Sequence, residues 1–199
     1  MFIPVPGFPG PEFFLSEIWI VLLLTSFMLY YTRLYPAVLK SNIYFAKSRK
    51  GLCFMSFTQS ENEFLKQVSK FNDEELIFAP KMLHKETKQI KRYLEGKRKR
   101  FNLRIHLTGS KFQLKVWNAI SRIPYGKTIS YSRLAKNVND SSAVRAVANA
   151  CGKNPLPIII PCHRVVAKDG TLGGYTGGLE LKKSLLRIED ARNGKKYNP

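Results

Sequence analysis

The spacing of apolar residues divides the chain into stretches of different period. Two short apolar runs, Ile43-Tyr44-Phe45-Ala46 and Leu52-Cys53-Phe54-Met55-Ser56-Phe57, flank the polar segment Lys47-Ser48-Arg49-Lys50-Gly51. That arrangement predicts a β-hairpin with a glycine-containing turn. Residues 61–71 place Phe64, Leu65, Val68 and Phe71 at helical intervals, and residues 80–95 carry similar spacing, so a helix is predicted in each. Gly96-Lys97-Arg98-Lys99-Arg100 then breaks the pattern and reads as a turn or linker, closing an N-terminal α/β unit.

The second unit opens with a helix over 111–122, where Phe112, Val116, Trp117, Ile120 and Ile123 form one stripe and Pro124-Tyr125-Gly126 ends it. A short helix follows Ser130, its expected N-cap, through Lys136. Another is expected to start from Asp140 as N-cap, run through Cys151 and end at Gly152. Two short helices across a tight turn give a helix-turn-helix outline. The second has an unusually small face (Ala143, Ala146, Ala148, Ala150), with Arg145 as its only long charged side chain. Small residues allow close approach to a helix or a nucleic-acid groove. An arginine among them suits a phosphate, a base edge or the gap left by a displaced base. The expected class is therefore α+β (α/β), a small α/β domain followed by a helical domain.

The first 35 residues differ from the rest. Four of the first eleven are proline, and the apolar run Ile18–Tyr31 has 14 residues, short of the ~20 that a bilayer-spanning helix requires. No basic residue precedes the run and no small-residue cleavage site follows it, which argues against a secretory signal. The simplest expectation is that translation starts at Met28; the alternative is a weak anchor, which would leave the basic remainder in the cytoplasm. The expected division is an N-terminal extension over 1–35, an α/β domain over 36–105, a helical C-terminal domain over 106–192, and a basic tail over 193–199.

Composition is ordinary for a globular protein, with 44% apolar and 24% charged residues, so disordered and fibrous classes are excluded. Three cysteines cannot all pair and are too few for a disulfide scaffold, which favours a reducing, cytoplasmic setting. Charge changes the picture more. The chain holds 33 Lys and Arg against 14 Asp and Glu, net +19. Residues 41–100 contribute 14 basic and 7 acidic residues, and residues 101–199 contribute 17 and 5. Such an excess, densest in the C-terminal half, points to nucleic acid, with an anionic membrane surface as the weaker alternative.

The densest chemistry lies at 154–178, in Asn154-Pro155-Leu156-Pro157-Ile158-Ile159-Ile160-Pro161-Cys162-His163-Arg164 and the later Gly173-Gly174-Tyr175-Thr176-Gly177-Gly178. The three isoleucines read as a buried strand that delivers Cys162 to a site. A cysteine is a nucleophile as thiolate and requires a base or a positive environment, which His163 and Arg164 offer. In extended chain neighbouring side chains diverge, so a bridging water between thiol and imidazole is easier to build than a direct ion pair. The imidazole would then need a carboxylate to orient it, and the candidates beyond residue 100 are Asp140, Asp169, Glu180, Glu189 and Asp190. His84, His106 and His163 and the cysteines lack metal-ligand spacing, so neither a metal nor another cofactor is expected.

Pro161-Cys162-His163-Arg164-Val165, spaced as it is from Ile129-Ser130-Tyr131, Arg145-Ala146-Val147 and Asn154-Pro155, resembles the active-site signature of the O6-alkylguanine-DNA alkyltransferases, or methylated-DNA–protein-cysteine methyltransferases. The resemblance covers roughly Phe112 to Glu189, and 41–100 looks like the family's more variable N-terminal domain. It implies a ribonuclease H-like N-terminal domain and a winged-helix-like C-terminal one. It implies that Cys162 takes the alkyl group from guanine O6 as a thioether, consuming the protein, with O4-alkylthymine a further possible substrate. By the same resemblance His163 is the base, acting through water, Glu189 orients it and Asn154 braces the active-site turn. Tyr131 would crowd the 3′ phosphate and help protonate the departing guanine, and Arg145 would fill the stack after nucleotide flipping. Tyr175 and Thr176 would line the guanine pocket, where the family often has serine at the second position. The implied partner is double-stranded DNA bound through its minor groove by a monomer, in the cytoplasm, nucleoid or nucleus.

Three other readings compete. A non-enzymatic lesion binder of the alkyltransferase-like kind carries another residue at the cysteine position. A thiol hydrolase would leave the net charge unexplained. A sequence-specific regulator would read the major groove with polar side chains that this alanine-rich helix lacks.

Overall fold

The computed structural model describes residues 28–70 and 74–190. Residues 1–27, Phe71 and the basic tail over 193–199 lie outside them. Three strands, β1 (Met28–Leu34), β2 (Ile43–Ser48) and β3 (Gly51–Phe57), form an antiparallel meander. Helix α1 (Glu61–Ser69) then carries the chain back so that β4 (Glu75–Phe78) pairs in parallel with β1, giving the order β3-β2-β1-β4. The predicted hairpin is present with a tighter turn, since β2 extends through Ser48 and only Arg49 and Lys50 separate it from β3.

Alternation along the strands sorts the sheet's two faces. Leu29, Tyr31, Tyr44, Ala46 and Phe54 pack on Phe64 and Val68 of α1, whereas Ile43, Phe45, Leu52 and Met55 face the main core. Covering both faces explains why Ile43–Ala46 are buried without a break. One expectation needs correction. Residues 28–34, assigned by sequence to the extension, form β1, because pairing with β2 and β4 buries Leu29, Tyr31 and Thr32 in the middle of the sheet.

Helix α2 (His84–Leu94) follows a 3-10 turn over Pro80–Leu83 and turns Ile90, Tyr93 and Leu94 into the core. It ends as a glycine C-cap requires. Gly96 has φ 65°, its N–H donates to the Tyr93 carbonyl at 2.8 Å, and the Lys97 N–H donates to the Arg92 carbonyl at 2.8 Å. The basic segment is thus a helix terminus, and the chain after it is pinned to the N-terminal unit. Leu52 N–H donates to the Arg104 carbonyl at 2.9 Å, and His106 N–H donates to the Leu52 carbonyl at 2.8 Å. The two units share one core, in which Ile90, Tyr93 and Met55 join Trp117, Ile120 and Leu185.

The C-terminal unit begins with α3 (Lys111–Ser121), started by a capping box between Ser110 and Gln113. Strand β5 (Ile129–Ser130) leads into α4 (Tyr131–Asn137), and Ser130 caps that helix as expected by accepting the Arg133 N–H. Helix α5 (Val144–Gly152) starts later than the sequence suggests. Asp140 instead closes a turn, its Oδ1 accepting the N–H groups of Ser142 and Ala143. A short carboxylate competes well for nearby main-chain donors outside a helix, and here the turn wins. Strand β6 (Val165–Val166) pairs with β5, and α6 (Leu179–Asp190) closes the unit. Among the described residues no helix is long and apolar enough to cross a membrane.

Candidate active site

Cys162 is delivered by a compact turn, which corrects the strand expected from Ile158–Ile160. Pro155, Pro157 and Pro161 lack main-chain donors, so a regular ladder cannot form across the segment. Ile158 adopts φ 73°, a left-handed conformation costing a β-branched residue about 1–3 kcal/mol. The Ile160 N–H donates to the Leu156 carbonyl at 2.8 Å, and Cys162–Arg164 form a single 3-10 turn. Asn154 binds the loop at three points. Its Nδ2 donates to the Ile160 carbonyl at 2.7 Å and to Cys162 Sγ at 3.1 Å, and its Oδ1 accepts the Leu156 N–H at 3.0 Å. Met55 of β3 donates its N–H to the Pro155 carbonyl at 2.7 Å, so the N-terminal sheet also holds the turn.

Behind the thiol lies a buried charge network. His163 Nε2 sits 2.9 Å from Glu189 Oε1 on α6, which selects Glu189 among the five candidate carboxylates. Arg164 grips the same carboxylate, with Nη2 at 2.8 Å from Oε1 and Nε at 3.0 Å from Oε2. The Gly126 N–H donates to Oε2 at 2.8 Å, and the Tyr93 hydroxyl donates to Oε1. Burial alone would raise the Glu189 pKa, but the hydrogen bonds and charges of His163 and Arg164 hold it at about 2. Glu189 is therefore a carboxylate and accepts, so Nε2 carries the imidazole proton. His163 Nδ1 is buried and has no hydrogen-bond partner among the described residues. Burial lowers the His163 pKa despite the opposing pull of Glu189, which keeps the ring neutral and Nδ1 able to accept a proton.

The cation expected beside the thiol is not Arg164, which is committed to Glu189. Lys182 of α6 takes that place. It is fully buried, its Nζ donates to the Val165 carbonyl at 2.6 Å and to the Leu172 carbonyl, and it lies 5.9 Å and 6.0 Å from the ring centres of Tyr131 and Tyr175. Burial lowers its pKa to about 8, against the pull of the two nearby thiols, Cys162 and Cys151. Burial raises the Cys162 pKa, while the Asn154 hydrogen bond, Lys182 and the Tyr175 hydroxyl favour the thiolate. Tyr175 Oη is buried close to the sulfur without a hydrogen bond of normal geometry. The resting state is thus a neutral thiol beside a neutral imidazole, with groups arranged to stabilise negative charge once the proton leaves.

Two clefts meet at Cys162. One, of about 390 Å³, is bounded by Tyr131 of α4, Ala148 and Gly152 of α5, and Tyr175 and Thr176 of the glycine-rich loop. The other, of about 350 Å³, runs toward β3 and α1 and is lined by Met55, Phe57, Gln67 and Pro157. Tyr131 donates its hydroxyl to the Gly174 carbonyl at 3.3 Å, and burial raises its pKa to about 12. Gly173, at φ 63°, lies so close to that ring that a Cβ would approach it to 3.0 Å. Thr176 ties the loop to the end of α5 through a 2.9 Å hydrogen bond to the Gly152 carbonyl. Arg145, Ala146, Ala148 and Asn149 are exposed along α5, and Val147 and Ala150 point inward.

The structure therefore brings Cys162, His163, Glu189 and Asn154 into one cluster, sets Tyr131, Tyr175 and Thr176 around the adjoining cleft, and leaves Arg145 outward on the helix that borders it. Sequence reasoning missed Lys182 and Tyr93. Lys182 stands one residue after Leu181 and three before Leu185 on the buried face of α6, so a lysine at a core position was the available signal. Tyr93 sits with Ile90 and Leu94 on an ordinary core stripe, and nothing in the spacing marks it. Among the described residues no group of three or more His, Cys, Asp or Glu side chains comes together as a metal site would require.

Fold and site define a two-domain protein with a helix-turn-helix face beside a buried, free cysteine. The family model described as the DNA binding domain of 6-O-methylguanine DNA methyltransferase matches residues 111–191, and the model described as its ribonuclease-like domain matches residues 30–107. The inducible methylated-DNA–protein-cysteine methyltransferase of Bacillus subtilis is 43% identical over 153 residues, covering 74% of this chain and 84% of that protein. The methylated-DNA–protein-cysteine methyltransferase of Methanosarcina acetivorans is 35% identical over 159 residues, covering 78% and 98%. Among solved structures, Mycobacterium tuberculosis OGT in complex with DNA superposes with a TM-score of 0.72 at 30% identity, covering 82% of this chain and 94% of that one. The chain belongs to the 6-O-methylguanine DNA methyltransferase family.

Proposed function

We propose that this protein repairs DNA by moving the alkyl group of O6-alkylguanine onto Cys162, once per chain. The observation that carries this reading is the thiol at the junction of two clefts, with a neutral imidazole next to it in the chain whose Nε2–H is held by Glu189 and whose buried Nδ1 has no hydrogen-bond partner among the described residues. The thiol proton passes through a water to His163 Nδ1. The sulfur attacks the alkyl carbon, an S–C bond forms and the C–O6 bond breaks, and the electron pair stays on the guanine, which takes up a proton with help from the Tyr131 hydroxyl. The product is a thioether that no group in the site can hydrolyse, so one chain handles one lesion. Lys182 and Asn154 stabilise the thiolate as it forms. Tyr175 and Thr176 line the guanine pocket.

A guanine inside a duplex cannot reach Cys162 unless it is extruded, at a cost of a few kcal/mol in lost stacking. Helix α5 suits that task. Its exposed alanines permit close approach to the minor groove, and Arg145 fills the vacated stack. Poor sequence readout in that groove serves a protein that must act in any context. Affinity comes mainly from phosphate contacts by the basic surface of a monomer working in the cytoplasm or with the chromosome, and it falls steeply with salt.

Two measurements test this. Titration with duplex DNA bearing radiolabelled O6-methylguanine is expected to reach a plateau at one methyl per chain. Continued turnover would indicate a hydrolase, and tight binding without transfer a lesion binder. Arg145→Ala is expected to slow transfer from the duplex by on the order of tenfold or more, while transfer from the free base changes little, because only the duplex demands extrusion. An equal loss on both substrates would remove Arg145 from the flipping step.

A further inference from the structure

The Tyr93 hydroxyl lies at the centre of the buried network and yet belongs to the N-terminal domain. It donates to Glu189 Oε1, and its oxygen sits 3.3 Å from His163 Nε2. Oε1 is the same oxygen that takes the His163 Nε2–H at 2.9 Å and Arg164 Nη2 at 2.8 Å. The ring of Tyr93 is locked in place, edge-on to Tyr125 with centroids 5.9 Å apart and against Phe101 at 5.2 Å. We infer that Tyr93 is a positioning residue for alkyl transfer: its hydroxyl shares Glu189 Oε1 with His163 and closes the Nε2 edge of the ring, leaving the lone pair of Nδ1 as the one proton acceptor. The inference rests on the alkyl-transfer reading for its kinetic expression.

The physical effect follows from competition for one oxygen. Each donor on Oε1 spreads the carboxylate charge and weakens the pull that Glu189 exerts on His163. The groups facing the imidazole are Glu189 and Lys182 from α6, Cys162 and Arg164 on either side in the chain, and Tyr93 from α2, with Tyr125 packed on both Arg164 and Tyr93. Of these, Glu189 favours the imidazolium, whereas Arg164 and Lys182 oppose it. Tyr93 is held neutral, its pKa raised by burial and by the Glu189 charge, so it remains a donor across the working pH range. Without its hydroxyl, Oε1 concentrates its charge on His163, the imidazolium becomes easier to form, and less of the ring is available as base at neutral pH. The N-terminal domain thereby tunes chemistry performed in the C-terminal one.

The test is Tyr93→Phe in the full chain, which keeps the ring and its aromatic contacts. In single-turnover transfer across pH, the acid limb is expected to move to higher pH by on the order of one unit, with the rate recovering toward the parent value at high pH. Nitrogen NMR of isotopically labelled histidine reads the same group without any reaction. The chain has three histidines, and the His163 ring is expected to titrate higher in the variant by the same amount. A uniform fall in rate or thermal stability, with the acid limb and the ring titration unmoved, would overturn the inference and leave Tyr93 as packing alone. If neither protein transfers an alkyl group, the alkyl-transfer reading fails, and the ring titration still decides the role of Tyr93.

Discussion

Replacing Cys162 with serine is expected to abolish alkyl transfer and to leave folding and lesion binding in place. Serine fills nearly the same volume, and its hydroxyl accepts the Asn154 Nδ2–H that now reaches the sulfur at 3.1 Å, so the turn keeps its brace. Reactivity is not expected to survive, because an alcohol is far harder to deprotonate than a thiol and an alkoxide is a poor match for a neutral imidazole base. Transfer is expected to fall below detection, a loss of at least about 10⁴-fold, while the lesion-duplex dissociation constant changes by less than about threefold. Single-turnover assays and fluorescence anisotropy on the same preparation check both halves. Cys53→Ser is the control, since Cys53 lies on β3 with its thiol donating a hydrogen bond to the Ala46 carbonyl. Residual transfer by the serine variant at more than about one-hundredth of the parent rate would place the acceptor elsewhere.

Glu189→Gln is expected to damage both stability and chemistry. The carboxylate takes hydrogen bonds from His163, Arg164, Tyr93 and Gly126 and is fully buried. An amide of the same shape presents an NH₂ group where one of those donors must sit, and it leaves the Arg164 charge buried without its partner. Breaking a buried pair in this way costs about 3–5 kcal/mol. Loss of the anchor for the His163 Nε2–H is expected to lower the transfer rate by about 10²–10⁴. The pH dependence has a definite sign. The Glu189 pKa falls from 4.5 when free to about 2 when folded, so its stabilisation is present in full above pH 4.5 and is lost as pH falls toward 2. That difference corresponds to about 3 kcal/mol. Urea unfolding at pH 7 and at pH 3 is expected to show a wide gap between the parent and Glu189→Gln at the higher pH and a narrower one at the lower.

The sequence exposed the elements whose periodicity is local and hid what depends on tertiary context. The β2–β3 hairpin, α1, α2, α3 and the Ser130 cap follow from spacing and capping chemistry that act within a few residues. Strand β1 was concealed because its apolar residues merge with the run that precedes them, and only its partners β2 and β4 mark it as sheet. Ile158–Ile160 read as a strand by β-propensity, yet the surrounding prolines and the Asn154 hydrogen bonds fold them into a turn with Ile158 left-handed. Propensity lost there to a geometry set from outside the segment.

The site divides in the same way. Cys162, His163 and Asn154 fall within ten residues and are legible as a unit. Glu189 could be chosen among five carboxylates only by resemblance, because the pairing spans 26 residues and depends on how α6 packs. Arg164 was assigned to the thiol from adjacency in sequence, whereas the 3-10 turn sends its guanidinium to Glu189. Tyr93 lies 70 residues from His163, on a helix whose pattern reports only that it is buried.

The most direct test of the central claim is the intact mass of the protein, followed by a peptide map, after incubation with duplex DNA carrying a single O6-methylguanine. The expected result is a gain equal to one methylene group, found on the peptide containing Cys162 and saturating at one per chain. An unchanged mass after tight binding to the lesion, or a methyl group mapped to any other residue, would contradict the account.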